Sequence, residues 1–334
     1  MKIAVIGAGA IGNVVAGYLT LNSEAVCLIG RPHTVEAIKK NGLLISGVRG
    51  DSRVDLEVSE RLQEKPDLVI LAVKTQDVEE ALEDNRAFLN NTWLLTTQNG
   101  IRTDSLVARH LAEENIISSI VMFGATSLEE GKVIHNFDGT WIIGRIFGAN
   151  DSPVKTIQAV LNKIFPTVIT DDIRGMKYLK IFVNANNCIP AILGMSMQEA
   201  FIDHKVSRIS IGIWKEGLAI TSKADVTLSS LPDFPLERLT GLTAMPIDEA
   251  AKIFSGIMVN LSKEPLYGSI LQSIKRGRLS EIDFINGEFV NLAKKYNVSA
   301  PLNQKLVEML HEVEQTKIFF SKDQLLAETE KLIT

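Results

Sequence analysis

Cysteine is nearly absent from this chain: Cys27 and Cys188 are the only two among 334 residues. Two distant thiols make neither a disulfide framework nor a metal knuckle. The small disulfide-stapled classes are therefore excluded, no metal site is expected, and a reducing compartment fits. Cys27 lies in the apolar run Val26-Cys27-Leu28-Ile29 and is expected to be a buried core thiol. Long hydrophobic runs are lacking as well, since no apolar stretch approaches the ~18 residues that a bilayer span needs. Met1-Lys2 leads straight into Ile3-Ala4-Val5-Ile6 and then into glycine-rich sequence, a run too short for a signal-peptide core. The expectation is a cytoplasmic protein with no membrane partner. Positive charge is not in excess: 35 Lys and Arg stand against 40 Asp and Glu, a net charge of −5. A mildly acidic surface argues against nucleic acid as a partner, so any anion site has to be a local basic cluster. No internal repeat and no low-complexity tract is found.

What is present is an ordinary globular composition, 46% hydrophobic and 22% charged, which argues against wholesale disorder. A chain of 334 residues exceeds one comfortable core and predicts two domains. In the first half, strand-like runs at 2–6, 25–29, 67–73, 93–98 and 116–123 alternate with helical patterns at 11–21, 35–40, 78–89 and 104–111. Most of these strands are continuously apolar, as strands covered on both faces are. The order predicts an α/β, doubly wound parallel sheet with right-handed crossovers. After Thr126 the rhythm changes. Residues 132–137 and 140–145 read as a hairpin around Asp138-Gly139. Ser152-Pro153 reads as the cap and N1 proline of a helix marked by Val154, Ile157, Val160, Leu161 and Ile164. A last strand is expected at 167–170. The boundary is placed near Asp171-Asp172, giving an N-terminal domain over 1–170 and a second, mostly α-helical domain over 171–334. In the latter, Ile282, Ile285, Phe289 and Ala293 form one helical stripe, and 231–235, with Pro232 and Pro235, is a loop.

The strongest local signal is Gly7-Ala8-Gly9-Ala10-Ile11-Gly12, which follows a short apolar strand and opens a helix. That is the context of a Rossmann dinucleotide fingerprint. Gly7 permits the tight turn, Gly9 lets the backbone approach a pyrophosphate, and Gly12 lets helix and strand pack closely. The helix N-terminus offers free N–H groups to the phosphates. The second strand ends in Ile29-Gly30-Arg31, where an NAD enzyme usually places an acid for the ribose hydroxyls. Arg31 offers instead a planar fork suited to a 2′-phosphate, so the cofactor expected is NADP. Two polar motifs end later strands, where open α/β sheets bind ligands: Val73-Lys74-Thr75-Gln76 and Gln98-Asn99-Gly100. A lysine or asparagine at a strand end is often only a surface residue; two at the same edge point to a cleft.

These motifs, in this order, resemble those of the ketopantoate reductases (2-dehydropantoate 2-reductases). The second half agrees. Lys180-Ile181-Phe182-Val183-Asn184 is similar to the family's lysine-to-asparagine helix, and Pro301-Leu302-Asn303 to its late proline–asparagine pair. Gly277-Arg278-Leu279-Ser280-Glu281-Ile282-Asp283-Phe284-Ile285-Asn286-Gly287 is similar to its acidic signature. The resemblance spans nearly the whole chain. It implies that NADPH reduces a 2-oxo acid to a 2-hydroxy acid, with Lys180 as proton donor and Lys177 as the lesser candidate. Glu281 is implied to hold the substrate's hydroxyl end, and Asn99, Asn184 and Ser269 to orient it. Gly7, Ala8, Gly9, Ala10, Ile11, Gly12, Arg31, Lys74, Gln76 and Asn99 are implied to hold the cofactor, with Lys74 between nicotinamide and substrate. The i, i+4 spacing of Lys180 and Asn184 puts both on one helix face. The active site is expected between the two domains, and a homodimer is left open.

The match departs from the family at two places. A second asparagine commonly stands eight residues after the lysine, where this chain has Cys188, and a polar stretch is replaced by Leu266-Tyr267-Gly268-Ser269-Ile270. Both changes are expected to remove polar groups from the substrate pocket and leave the identity of the 2-oxo acid open. One rival is a two-domain dehydrogenase for a phosphorylated substrate, with Lys177, Arg276 and Arg278 as its basic cluster. A second is a non-catalytic NADP sensor, which has no need of Lys180, Asn184 and Glu281 together.

Overall fold

Short runs of Val, Ile and Leu build the centre of the first unit. In the computed structural model, which describes residues 1–127, 129–262 and 264–333, the chain separates into Met1–Arg174 and Gly175–Thr334. The strands of the first unit are β1 (Lys2–Ile6), β2 (Ala25–Ile29), β3 (Leu43–Gly47), β4 (Ser52–Val54), β5 (Glu57–Ser59), β6 (Leu68–Leu71), β7 (Trp93–Thr96), β8 (Ile116–Val121), β9 (Gly124–Thr126), β10 (Lys132–Phe137), β11 (Trp141–Gly144) and β12 (Thr167–Ile169). Its helices are α1 (Ala10–Leu21), α2 (Pro32–Asn41), α3 (Val78–Asn85), α4 (Thr103–Val107) and α5 (Ser152–Leu161).

Eight strands form one sheet in the order β12-β11-β8-β7-β6-β1-β2-β5, parallel throughout except where β11 runs antiparallel to β8. Successive side chains of β1 feed opposite faces, as the two-residue period of a strand requires. Ile3 and Val5 pack with Val14, Val15 and Leu19 of α1, and Ala4 and Ile6 with Val78 and Leu82 of α3. The chain runs from β1 to β2 on one side and returns to β6 on the other, so the topological switch lies beside β1.

A second sheet of four strands, β4-β3-β10-β9, was not expected. It overturns the hairpin reading of 132–145. β10 pairs with β3 in parallel and with β9 antiparallel, while β11 joins the large sheet. The burial patterns give the reason. All four residues of β11 are buried, as a strand covered on both faces requires. β10 alternates exposed and buried positions over its first four residues and suits a half-covered sheet. The α5 start is also corrected: Asp151 is the N-cap, accepting from Val154 N at 3.4 Å. The same carboxylate pairs with buried Arg145 at 2.9 Å, which fixes it in place of Ser152. Cys27 is half-buried, not buried, at the point where β2 pairs with Glu57 of the short edge strand β5.

The second unit is helical: α6 (Ile173–Ala185, its first turn lying before the division), α7 (Cys188–Leu193), α8 (Met197–Phe201), α9 (His204–Lys223), α10 (Leu236–Ala244), α11 (Ile247–Val259), α12 (Ser269–Lys275), α13 (Asn286–Tyr296), α14 (Pro301–Thr316) and α15 (Lys322–Thr329). The expected stripe Ile282–Ala293 is buried throughout but is not one helix. A single 3-10 turn over Ile282–Phe284 precedes α13, broken at Ile285 with φ −119° and ψ −90°. Loop 231–235 closes on itself through the reciprocal bonds Leu231 N→Phe234 O and Phe234 N→Leu231 O. Among the described residues no helix is long and apolar enough to cross a membrane.

Candidate active site

Strand register assembles the nucleotide edge of the first unit. Ile6 pairs with Ile29 on one side and Leu71 on the other, and Leu71 pairs with Thr96. The residues that follow each strand, Gly7, Gly30-Arg31, Ala72-Val73-Lys74 and Thr97-Gln98-Asn99, therefore leave the same carboxyl edge side by side. Gly7 has φ +116° and its N–H donates to Ile29 O at 2.9 Å. A Cβ there would stand 2.5 Å from Val73 N, so only glycine fits. A Cβ at Gly12 would strike Gly7 O, whereas Gly9 has nothing within 4 Å of that position. Gly9 is thus open, as a backbone that meets a pyrophosphate has to be, and it is the N-cap of α1. The loop fits a dinucleotide.

Arg31 is the N-cap of α2 and largely exposed, 3.6 Å from the Asp77 carboxylate. Lys74 is half-buried and caps the 3-10 turn Thr75–Asp77, and Gln76 on that turn is exposed. Asn99 is half-buried beside Gly100, whose φ is +81°. Gln98 points inward instead: its amide donates to Leu71 O at 2.8 Å and Val73 O at 2.9 Å, holding the end of β6. Asp104 is a buried carboxylate missed by sequence reasoning. It accepts from Thr96 Oγ1 at 2.7 Å and Ser118 Oγ at 2.9 Å, stapling β7 and β8 beneath that edge.

In the second unit Lys180 and Asn184 lie on α6, and both are half-buried. Desolvation of the Lys180 ammonium lowers its pKa from 10.5 to about 8, against an upward pull from the Asp233 carboxylate. Asp233 sits in the closed turn 231–234, a position the sequence did not single out. Phe234 of that turn packs edge-on against Trp214, and Trp214 Nε1 donates to Phe182 O of α6 at 2.8 Å. Lys177 is 2% exposed. Glu281 is buried at the entry to the turn that precedes α13. Phe182 of α6 meets Phe289 of α13 edge-on at 4.8 Å, over Gly217 of α9. A Cβ at Gly217 would stand 2.7 Å and 2.9 Å from the two rings. That junction holds the Lys180 helix and the Glu281 segment together. Ser269 is exposed at the first position of α12.

Cys188 is fully buried. Helix α6 ends at Ala185, Asn187 N bonds back to Asn184 O, and Cys188 starts the fully buried α7. Eight residues are therefore not two helical turns here. The Cys188 thiol donates to Ala185 O at 3.1 Å, and burial pushes its pKa up to about 12. Asn187, half-buried, is the polar group nearby: a Cβ at Gly268 would stand 3.3 Å from its Cβ and Cγ. Asn286 and Asn303 are structural. Asn286 Nδ2 donates to Asn303 Oδ1 at 3.0 Å, and Glu216 accepts from the backbone N–H groups of Leu302 and Asn303 at 2.9 Å each, capping α14.

A glycine cradle at the switch point of a mostly parallel sheet, followed by a helical unit carrying a desolvated lysine, defines a dinucleotide-dependent oxidoreductase. The chain matches the models of Ketopantoate reductase PanE/ApbA over residues 3–148 and of its C-terminal region over 172–314. It belongs to the ketopantoate reductase family and is an NADP-dependent oxidoreductase. It is 32% identical over 306 residues to 2-dehydropantoate 2-reductase of Pyrococcus horikoshii, covering 91% of this chain and 94% of that one. Among solved structures it is similar to a D-mandelate dehydrogenase in complex with NADH, at 26% identity and TM-score 0.79, covering 95% and 99%. The PanE/ApbA family ketopantoate reductase from Ralstonia eutropha JMP134, at 23% identity and TM-score 0.79 over the same shares, shares the fold.

Proposed function

We propose that this enzyme reduces a 2-oxo acid, ketopantoate or a close relative, to the 2-hydroxy acid, with Lys180 as the proton donor. The observation that carries the reading is Lys180 itself, desolvated to a pKa of about 8 on the helix that also presents Asn184. An ammonium at its ordinary value is a poor acid near neutrality; one at about 8 is charged at pH 7 and gives its proton up readily. NADPH, when bound, supplies the hydride. Gly7, Ala8, Gly9, Ala10, Ile11 and Gly12 would hold its pyrophosphate, Arg31 its 2′-phosphate, and Lys74, Gln76 and Asn99 its nicotinamide half. Lys180 stabilises the negative charge that grows on the carbonyl oxygen, then protonates it from Nζ. Glu281 fixes the far hydroxyl of the substrate, and Asn99, Asn184 and Ser269 orient its polar groups.

Purified protein, NADPH and a panel of 2-oxo acids, with ketopantoate beside aromatic and smaller analogues, tests the reading through loss of NADPH absorbance. Turnover of at least one acid, lost in Lys180→Ala, is the expected result. A panel without turnover, on protein that binds NADPH, sinks the proposal.

A further inference from the structure

The acid that the sequence lacks at the end of β2 arrives from elsewhere in the first unit. After β2 the chain offers Gly30 and Arg31, and α2 begins at Pro32. The Glu130 carboxylate reaches this point across 96 residues: the Thr34 hydroxyl donates to its Oε2 at 2.5 Å. His33 Nε2 stands 3.4 Å from its Oε1. Thr34 is 4% exposed and borders the nucleotide loop. A Cβ built on Gly30 would stand 2.9 Å from Ala8 Cβ and 3.6 Å from Thr34 Cβ. The small sheet delivers the carboxylate. Gly131 lies against α2, where a Cβ would be 3.3 Å from Ile38. Its carbonyl accepts from Leu44 N at 2.9 Å, as β10 enters its pairing with β3.

Helix dipole alone favours a carboxylate in the first turn of α2, but the location has a chemical meaning too. In dinucleotide folds an acid at the end of the second strand accepts from the adenosine ribose hydroxyls of NAD, and an arginine there accommodates the 2′-phosphate of NADP. Here both charges stand at one edge. We propose that Glu130 is a cofactor-specificity residue: it accepts from the ribose hydroxyls of NADH and opposes the 2′-phosphate of NADPH. The preference that Arg31 creates is thereby held down, and NADH is admitted as a second hydride donor. The inference rests on reading this edge as the adenosine end of the site and is independent of the proton donor.

The test is a pair of dissociation constants, for NADPH and NADH, measured by nucleotide fluorescence on wild type, Glu130→Gln, Glu130→Lys and Arg31→Ala. The Gln variant keeps a hydrogen-bonding group for Thr34 and removes the charge. It is expected to tighten NADPH about tenfold, the scale of one charge-assisted contact, and to loosen NADH. The Lys variant shifts the ratio further the same way. A NADPH:NADH ratio unchanged in both Glu130 variants overturns the proposal, as does a change in the opposite direction. Arg31→Ala reports the adenosine-edge reading separately: it is expected to loosen NADPH and spare NADH. If it spares both, that reading fails on a measurement distinct from the Glu130 ratio.

Discussion

As the proposed proton donor, Lys180 has to stay charged at neutral pH and still part with a proton, and its surroundings suit both needs. With the free group at about 8, it is mostly protonated at pH 7 and loses its proton as pH rises through that value. A proton donor is active in its charged form, so kcat/KM for reduction falls above pH 8, and the alkaline limb reports the free enzyme. Asp233 pulls the value upward, so Asp233→Asn moves that limb to lower pH; a pH profile of the two proteins checks the direction. Lys180→Ala removes an interaction that strengthens as charge develops and is expected to cut kcat by about 10²–10⁴ with little change in NADPH affinity. Near-normal kcat in that variant, folded, would transfer the role to Lys177 or Lys74. Glu281→Ala is expected mainly to raise KM. The residues that carry these expectations were singled out because the lysine, asparagine and glutamate sit in a family order. Asp233 was not, since its relation to Lys180 runs through Phe234, Trp214 and the Phe182 carbonyl, contacts between segments that sequence spacing does not connect.

Helices α6, α9 and α13 meet where Gly217 leaves room for Phe182 and Phe289. Gly217→Ala puts a methyl group against both rings. Such overpacking costs about 1–3 kcal/mol, read as a lower urea midpoint, and it is expected to raise KM by shifting the Glu281 segment relative to Lys180. Elements of this kind show what a sequence discloses. β1, β2 and α1 were legible because one apolar run, one glycine motif and one amphipathic run each have a single interpretation. β3, β4, β5 and β9 were not, because runs of three to five residues are too short to carry a clear period. The Asp138-Gly139 signal misled for a related reason. It does mark the break between two strands, but the connection leads from one sheet into another, and local turn chemistry does not say which strands pair. At Cys188 sequence spacing did not disclose that α6 stops at Ala185.

For the molecule as a whole, cofactor binding and turnover are separate readouts. NADPH is expected to raise the thermal midpoint, since a ligand at 100 times its dissociation constant adds about 2.7 kcal/mol of stability. Turnover of a 2-oxo acid tests the proposed substrate class, and both are measured on the same preparation. Of the two thiols, Cys27 is half-buried and Cys188 fully buried. Among the described residues no cluster of His, Cys, Asp and Glu has the makings of a metal site.

The small sheet also dictates an order of assembly. β3 gains its parallel neighbour only when β10 has been made. Arg49 and Asp138, which share an ion pair, are 89 residues apart, and Tyr18 and His135, joined at 3.0 Å, are 117 apart. Contacts of such separation form late, because the loop entropy of closing them comes before any gain from making them. On the ribosome, the glycine loop emerges well before β10, yet the edge that holds Glu130 waits for that strand, completed more than a hundred residues later. A nascent chain stalled before Lys132 thus lacks the β3–β10 pairing beside which Glu130 sits, and the proposed control of nucleotide choice has to await it.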